Sequence, residues 1–199
     1  MKNLSETYKI NPDLFTLNDG DFDHKSILHG ASHIYRVMTH VLLIGINEDL
    51  KEEARIAFFA AYIHDLARKN DGSCPAHGKE CAREKLPEFS EFFQSQGVSF
   101  AGLSSIASAV IFHSKTSEIS PSHKDFIYTA ILKDADALDR VRLNDSEPNE
   151  NFLHLPKTKK LITFAHYYYN YTPDKGFTTY TEALGLAEDL LKINTYLLS

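Results

Sequence analysis

Apolar residues recur along most of the chain at the three- and four-residue spacing of helix faces. Strand-like alternation is nearly missing, so the pattern predicts an all-α fold. A first helix is expected over Lys25 to Ile44, ending near Gly45. A second starts after Asn47, a favourable N-cap residue. Glu48, Asp49, Glu52 and Glu53 suit its positive end, Arg68 and Lys69 its negative end, and Asn70-Asp71-Gly72 stops it. A third begins at Pro75, and Pro87 is expected to divide it from a short helix over Glu88 to Ser95. A fifth covers Ser99 to His113, and a sixth runs from near Pro121 to Leu143. The polar stretch Asn144 to Asn151 reads as a loop suited to controlling access to a site. Two further helices follow, near Lys157 to Tyr171 and Thr179 to Leu198. There is no internal repeat, and the loops are short for a domain boundary. The expectation is one multi-helix bundle over residues 1–199, its chemistry in 26–142 and its C-terminal helices, 157–198, packed on that part.

Three stretches carry more than packing. At about 100° per residue, Ile27, Ala31, Ile34, Tyr35, Met38 and Leu42 share one arc of the first helix. His29, His33, Arg36 and His40 share another, flanked by Val37, Val41 and Ile44, so little of this helix suits open solvent. Buried imidazoles need partners. The second helix is continuously apolar from Ile56 to Ile63 and then places His64 beside Asp65. A desolvated carboxylate there costs several kcal/mol unless it is compensated. A bound cation would do that, as would water or a pair with Arg68. In the sixth helix Asp136, Asp139 and Arg140 share a face, while Ile131, Leu132, Ala135 and Leu138 are core-like. Taken singly, each stretch also fits an ordinary salt-bridged helix surface.

Composition narrows the function. The apolar fraction of 43% and the charged fraction of 24% are ordinary for a globular chain of 199 residues. A net charge of -6 argues against a nucleic-acid polymer or an anionic membrane as partner. A small anionic substrate stays open, because a local cation outweighs a distant surface charge. The run Ile56 to Ile63 is too short to span a bilayer. No signal-peptide pattern is visible at the start, and there are 2 cysteines, Cys74 and Cys81, so a reducing, cytoplasmic setting is expected. Histidine is the excess, at 10 residues.

The order His, His-Asp, Asp, each in helical context, resembles the HD-domain superfamily of metal-dependent phosphohydrolases. His29-Gly30-x-x-His33-x-x-Arg36-Val37 is similar to that family's first-helix pattern. Tyr62-Ile63-His64-Asp65-Leu66-Ala67-Arg68 is similar to its namesake segment, and Asp134-Ala135-Asp136-x-Leu138-Asp139 to its closing motif. The resemblance implies an α-helical bundle whose metal ligands map onto His33, His64, Asp65 and Asp136. Two imidazoles and two carboxylates suit a divalent ion such as Mn, Fe, Co, Ni, Zn or Mg. It also implies hydrolysis of a small phosphate ester, by default a nucleotide, by metal-activated water, with Asp65 orienting the water. Arg68 stands where the family has a basic residue that grips phosphate. Arg36, His29, Lys115 and Arg140 are further substrate-contact candidates. His77 and His113 fall where some members hold a second metal, or they contact the phosphate. Such members carry paired histidines after the fifth helix, whereas this chain has His113-Ser114, which favours one firmly held ion.

Other readings draw on the same residues. Relatives of the fold hold two irons and oxidise substrates with O₂, which needs the full dinuclear set. A non-catalytic nucleotide-binding regulatory module would keep the metal for structure. Cys74-x-x-His77-x-x-x-Cys81 has a spacing able to bind zinc but no evident fourth ligand. The aromatic stripe Phe164 to Tyr171 suits core packing or a homodimer contact better than base stacking.

Overall fold

The structure, a computed structural model, describes residues 3–115, 119–144 and 148–193. Among the described residues the α-helices are α1 (Leu4–Tyr8), α2 (Ala31–Asn47), α3 (Lys51–Ile63), α4 (His77–Ser95), α5 (Phe100–His113), α6 (Phe126–Leu138), α7 (Ile162–Asn170) and α8 (Tyr180–Ile193). Short 3-10 turns link several of them, and no strand occurs among these residues. This is the all-α bundle that the periodicity predicts. No helix among the described residues is long and apolar enough to cross a membrane.

α3 is the central rod. Its residues Ala57 to Ile63 are all buried, and it packs against α2, α4, α5 and α6. That explains why its sequence is apolar on every side. One continuous core runs from Leu4 of α1 to Leu191 of α8. Phe15 crosses α3 edge-on to Phe58 and Tyr62, closing the N-terminal segment over the rod.

Several boundaries differ from the expectation. The first helix starts at Ala31, not Lys25. Residues 25–30 instead form a bent segment that folds back so closely that a Cβ on Gly30 would lie 2.4 Å from the Ser26 carbonyl oxygen. Ile27, assigned by period to the apolar arc, is 98% exposed. α3 ends at Ile63, and His64 to Ala67 form a turn. α4 runs unbroken through Pro87. Pro87 and Arg83, one turn earlier, both lie on the exposed face, where solvent is at hand for the carbonyl that the missing N–H leaves without its helical partner. The sixth helix begins at Phe126, not Pro121, and tightens into a 3-10 turn over Asp139–Arg142. α7 begins at Ile162, after a 3-10 turn over Thr158–Leu161. Positions 194–198 of the last expected helix, and 145–147 of the expected access loop, lie outside the described residues.

The histidine stripe of α2 divides. His40 points into the aromatic core, edge-on to Phe164 and Tyr168, and neither ring nitrogen has a hydrogen-bond partner among the described residues. Burial pushes its pKa down to about 4. The unfolded chain protonates this imidazole below its ordinary value of 6.5, whereas the folded chain resists until about pH 4. Stability is therefore intact above pH 6.5 and falls as pH drops toward 4, by on the order of 3 kcal/mol from this residue. His40→Leu should lose less stability than the wild type between pH 7.5 and 4.5 in urea unfolding. Equal losses would show that His40 is not the acid-sensitive element.

Candidate metal centre

Six elements bring imidazoles and carboxylates to one point. His29 comes from the segment before α2, His33 from α2, and His64 and Asp65 from the turn after α3. His77 opens α4, His113 closes α5, and Asp136 sits on α6. Asp65 is the hub and is 4% exposed. Its Oδ2 lies 2.8 Å from His29 Nδ1, 3.5 Å from His33 Nε2 and 3.7 Å from His64 Nε2. Its Oδ1 lies 3.0 Å from His77 Nε2, 3.7 Å from His113 Nε2 and 3.6 Å from an Arg68 Nη. Asp136 Oδ1 lies 3.4 Å from His33 Nε2. The carboxylate of Asp65 thus stands between two imidazole pairs, one per oxygen.

The outward nitrogens settle the proton positions. His64 Nδ1 donates to the Ala61 carbonyl, His113 Nδ1 to the Val110 carbonyl, and His77 Nδ1 to the Cys74 carbonyl. His33 Nδ1 donates to Asp139 Oδ2 at 2.7 Å. A carbonyl has no proton to give, so each Nδ1 carries the hydrogen and each Nε2 turns a bare lone pair inward. His77 Nε2 and His113 Nε2 face each other at 2.9 Å, and His33 Nε2 and His64 Nε2 at 3.3 Å. Facing lone pairs repel unless a cation sits among them. The donor set therefore fits metal ions. Three groups have ligand atoms within 4.8 Å of one another: His29 with His33 and Asp65; His33 with His64 and Asp136; and His64 with Asp65 and His113. No cysteine joins such a group among the described residues.

Protonation suits the same task. Burial pushes the His64 pKa down to about 3, keeping it a neutral donor. Burial opposes ionisation of Asp65, yet the imidazoles of His64, His113, His29 and His33 gathered around it hold it well below the usual carboxylate range. Asp136 is lowered against its burial by His33 and His64. Burial and Arg142 press the His33 pKa down, but the carboxylates of Asp139 and Asp65 beside it outweigh them and raise it.

Local sequence explains the placement. Gly78 has no side chain to spare: a Cβ would lie 2.2 Å from the Val110 carbonyl oxygen, so α4 touches α5 where His77 meets His113. Cys81 braces the turn that carries His64 and Asp65. Its sulfur lies 3.1 Å from the Ile63 carbonyl and 3.2 Å from the His64 carbonyl, and it accepts from the Ala67 N–H at 3.1 Å. The Cys-His-Cys zinc reading therefore fails to converge, because His77 faces Asp65 while Cys81 serves backbone. Ser114 donates to the Pro75 carbonyl at 3.1 Å and ties the end of α5 to the approach to α4.

The substrate-contact candidates fare unequally. His29 and Arg68 reach Asp65, and Arg68 also donates to the Gly72 carbonyl at 2.7 Å. Arg36 is buried and engaged with Asp139, through Nε at 2.5 Å and an Nη at 3.0 Å. It is a strut behind His33 rather than an open phosphate grip. The Lys115 ammonium lies over the Phe112 ring at 4.6 Å, and Arg140 is exposed. In the aromatic stripe Phe164, Ala165 and Tyr168 are core, whereas Tyr167 and Tyr171 are exposed.

Sequence reasoning missed the role of Asp139. It is fully buried and holds both His33 and Arg36. Its spacing, three residues after Asp136 on the same face, was the available signal. Asp139→Asn should lower metal affinity by about 10- to 100-fold, because a neutral amide orients and polarises the imidazole less. Competition with a chromogenic chelator measures this, and an unchanged affinity would remove Asp139 from the centre.

The family comparison agrees with this geometry. A family model described as the HD domain matches residues 30–141, more than half of the 199-residue chain. No curated protein and no solved structure matches the chain significantly. The match spans His33, the His64-Asp65 pair and Asp136 in their expected order, and the chain belongs to the HD-domain superfamily.

Proposed function

We propose that the protein is a metal-dependent phosphohydrolase that cleaves a small phosphate ester, with a nucleotide as the default substrate class. Membership in a superfamily of metal-dependent phosphohydrolases supports the reaction type. The observation that carries the reading is the set of four inward Nε2 lone pairs around the shared Asp65 carboxylate. We assign His33, His64, Asp65 and Asp136 as ligands of the principal divalent ion. Asp65 with His77 and His113 forms a second position with fewer protein ligands.

A divalent ion there supplies a lowered water pKa and neutralises charge on the phosphoryl oxygens. The chain's own groups do the rest. Asp65 presents one oxygen to each side of the centre and so fixes the direction from which water approaches phosphorus. Arg68, beside Asp65 Oδ1, offers a guanidinium to the phosphate. His29, 2.8 Å from Asp65 Oδ2 and partly open to solvent, is placed to pass a proton to the leaving oxygen. Asp136, whose side chain is 36% exposed, marks the open side.

The test is a hydrolysis screen of phosphomonoesters and phosphodiesters against Mn, Fe, Co, Ni, Zn and Mg, with elemental analysis of the purified protein. The expected result is bound metal and metal-dependent release of phosphate or nucleotide. Metal-free protein that gains no activity with any ion would overturn the reading.

A further inference from the structure

A groove of about 660 Å³ lies between the bent segment 26–30 and the loop joining α7 to α8. None of the histidines or carboxylates around the centre lines it. Its size falls within the roughly 300–1,000 Å³ of small-molecule sites. Its chemistry is two-sided. Arg142 reaches it while donating through Nε to the Leu28 carbonyl and through one Nη to the Asp139 carbonyl, and among the described residues its other Nη has no partner. Lys175 lines the same groove with no ion-pair partner among the described residues. Asp174 is the one acidic residue in the lining. The apolar side is Ile27, 98% exposed, with Leu28 and the ring of Tyr169, which covers the Arg36 guanidinium at 5.3 Å.

We propose that this groove is a binding site, distinct from the metal centre, for an organic anion that joins a phosphate-like or carboxylate head to a flat apolar body. The head would bridge Arg142 and Lys175, which both line the groove; one Nη of Arg142 is taken up by Asp139, and the other is left for the head. The body would cover Ile27 and lie against Tyr169, removing apolar surface from water. The site is mechanically joined to the centre. Arg142 and Arg36 both bear on Asp139, which holds His33, so an occupant that draws on Arg142 acts on a group that orients the centre.

Phenylphosphonate is a suitable probe, because its carbon–phosphorus bond resists hydrolysis and binding is read apart from turnover. Calorimetric titration of the metal-loaded protein should show saturable binding. Arg142→Gln with Lys175→Gln should weaken it by about tenfold or more, the loss of charge-assisted hydrogen bonds. Lys175→Gln alone, at an exposed position that folding does not need, should weaken it in the same direction. Because a phosphonate also suits the proposed metal centre, the titration is repeated after chelation of metal, where binding should persist and Arg68→Gln should leave it unchanged. Absence of saturable binding, equal affinity in the Lys175 and double variants, or a loss produced only by Arg68→Gln would each overturn the proposal. None of these outcomes bears on phosphohydrolase activity, which the hydrolysis screen reads separately.

Discussion

Asp65→Ala should reduce hydrolysis to the background of the uncatalysed reaction and strip the protein of tightly bound metal. Among the described residues Asp65 is the one carboxylate that meets both imidazole pairs, with oxygens 3.0 Å from His77 and 3.5 Å from His33. Its removal leaves the four inward lone pairs with Asp136 as the one remaining carboxylate of the proposed ligand set to balance a divalent charge. It also frees His29 and one Nη of Arg68, the groups assigned to the leaving oxygen and the phosphate. Asp65→Asn is the sharper variant. It keeps shape and packing but halves the oxygen donors and removes the charge, so metal content should fall while the folded circular dichroism spectrum persists. Elemental analysis and phosphate release, measured on both variants, check this. Retained activity with retained metal in either would place the reaction elsewhere.

Arg36→Met should destabilise the fold by about 3 kcal/mol, the lower end of the cost of breaking a buried ion pair. Asp139 is fully buried, and Arg36 contributes two of its short contacts. Although burial opposes it, Arg36 and His33 hold the Asp139 carboxyl far below the usual carboxylate range. Without Arg36 the charge keeps only His33 and Arg142, the latter 3.6 Å away. The penalty belongs to the abandoned carboxylate and not to a lost attraction, which gives a second arm. Arg36→Met combined with Asp139→Leu should recover part of the loss, because apolar replacement of both partners is often close to neutral. Denaturant unfolding of the two single variants and the double variant measures the cycle. A cost below about 1 kcal/mol for Arg36→Met would mean that water reaches Asp139.

The ordered donors were legible because imidazole and carboxylate side chains stand out when they interrupt an apolar helix. His64 and Asp65 follow eight apolar residues, and it is their order with His33 and Asp136, not either residue alone, that sets them apart from a salt-bridged helix end. Helix existence was equally legible, since the 3.6-residue period is set by burial of one face. Boundaries were not. Residues 25–30 share the helical period, yet the close approach of Gly30 to Ser26 bends them away, and that approach exists only in three dimensions. Pro87 was read as a break because sequence does not say which side of a helix meets water. The place of Arg36 was misjudged for a related reason: its partner lies 103 residues away. Ser114 stands where the resemblance implies a second histidine. It carried no information on how tightly Gly78 lets His77 and His113 meet.

The spread of the donors along the chain has a consequence for biosynthesis. During translation His33 and the His64-Asp65 turn emerge long before Asp136 and its neighbour Asp139, which holds the His33 ring. No contiguous fragment ending before α6 carries the principal set of four, so a nascent chain offers passing metal ions only incomplete, mobile ligands. On the proposed ligand set, selection of the ion falls to the finished, folded chain, where the spacing of the helices and not the order of emergence decides which ion stays.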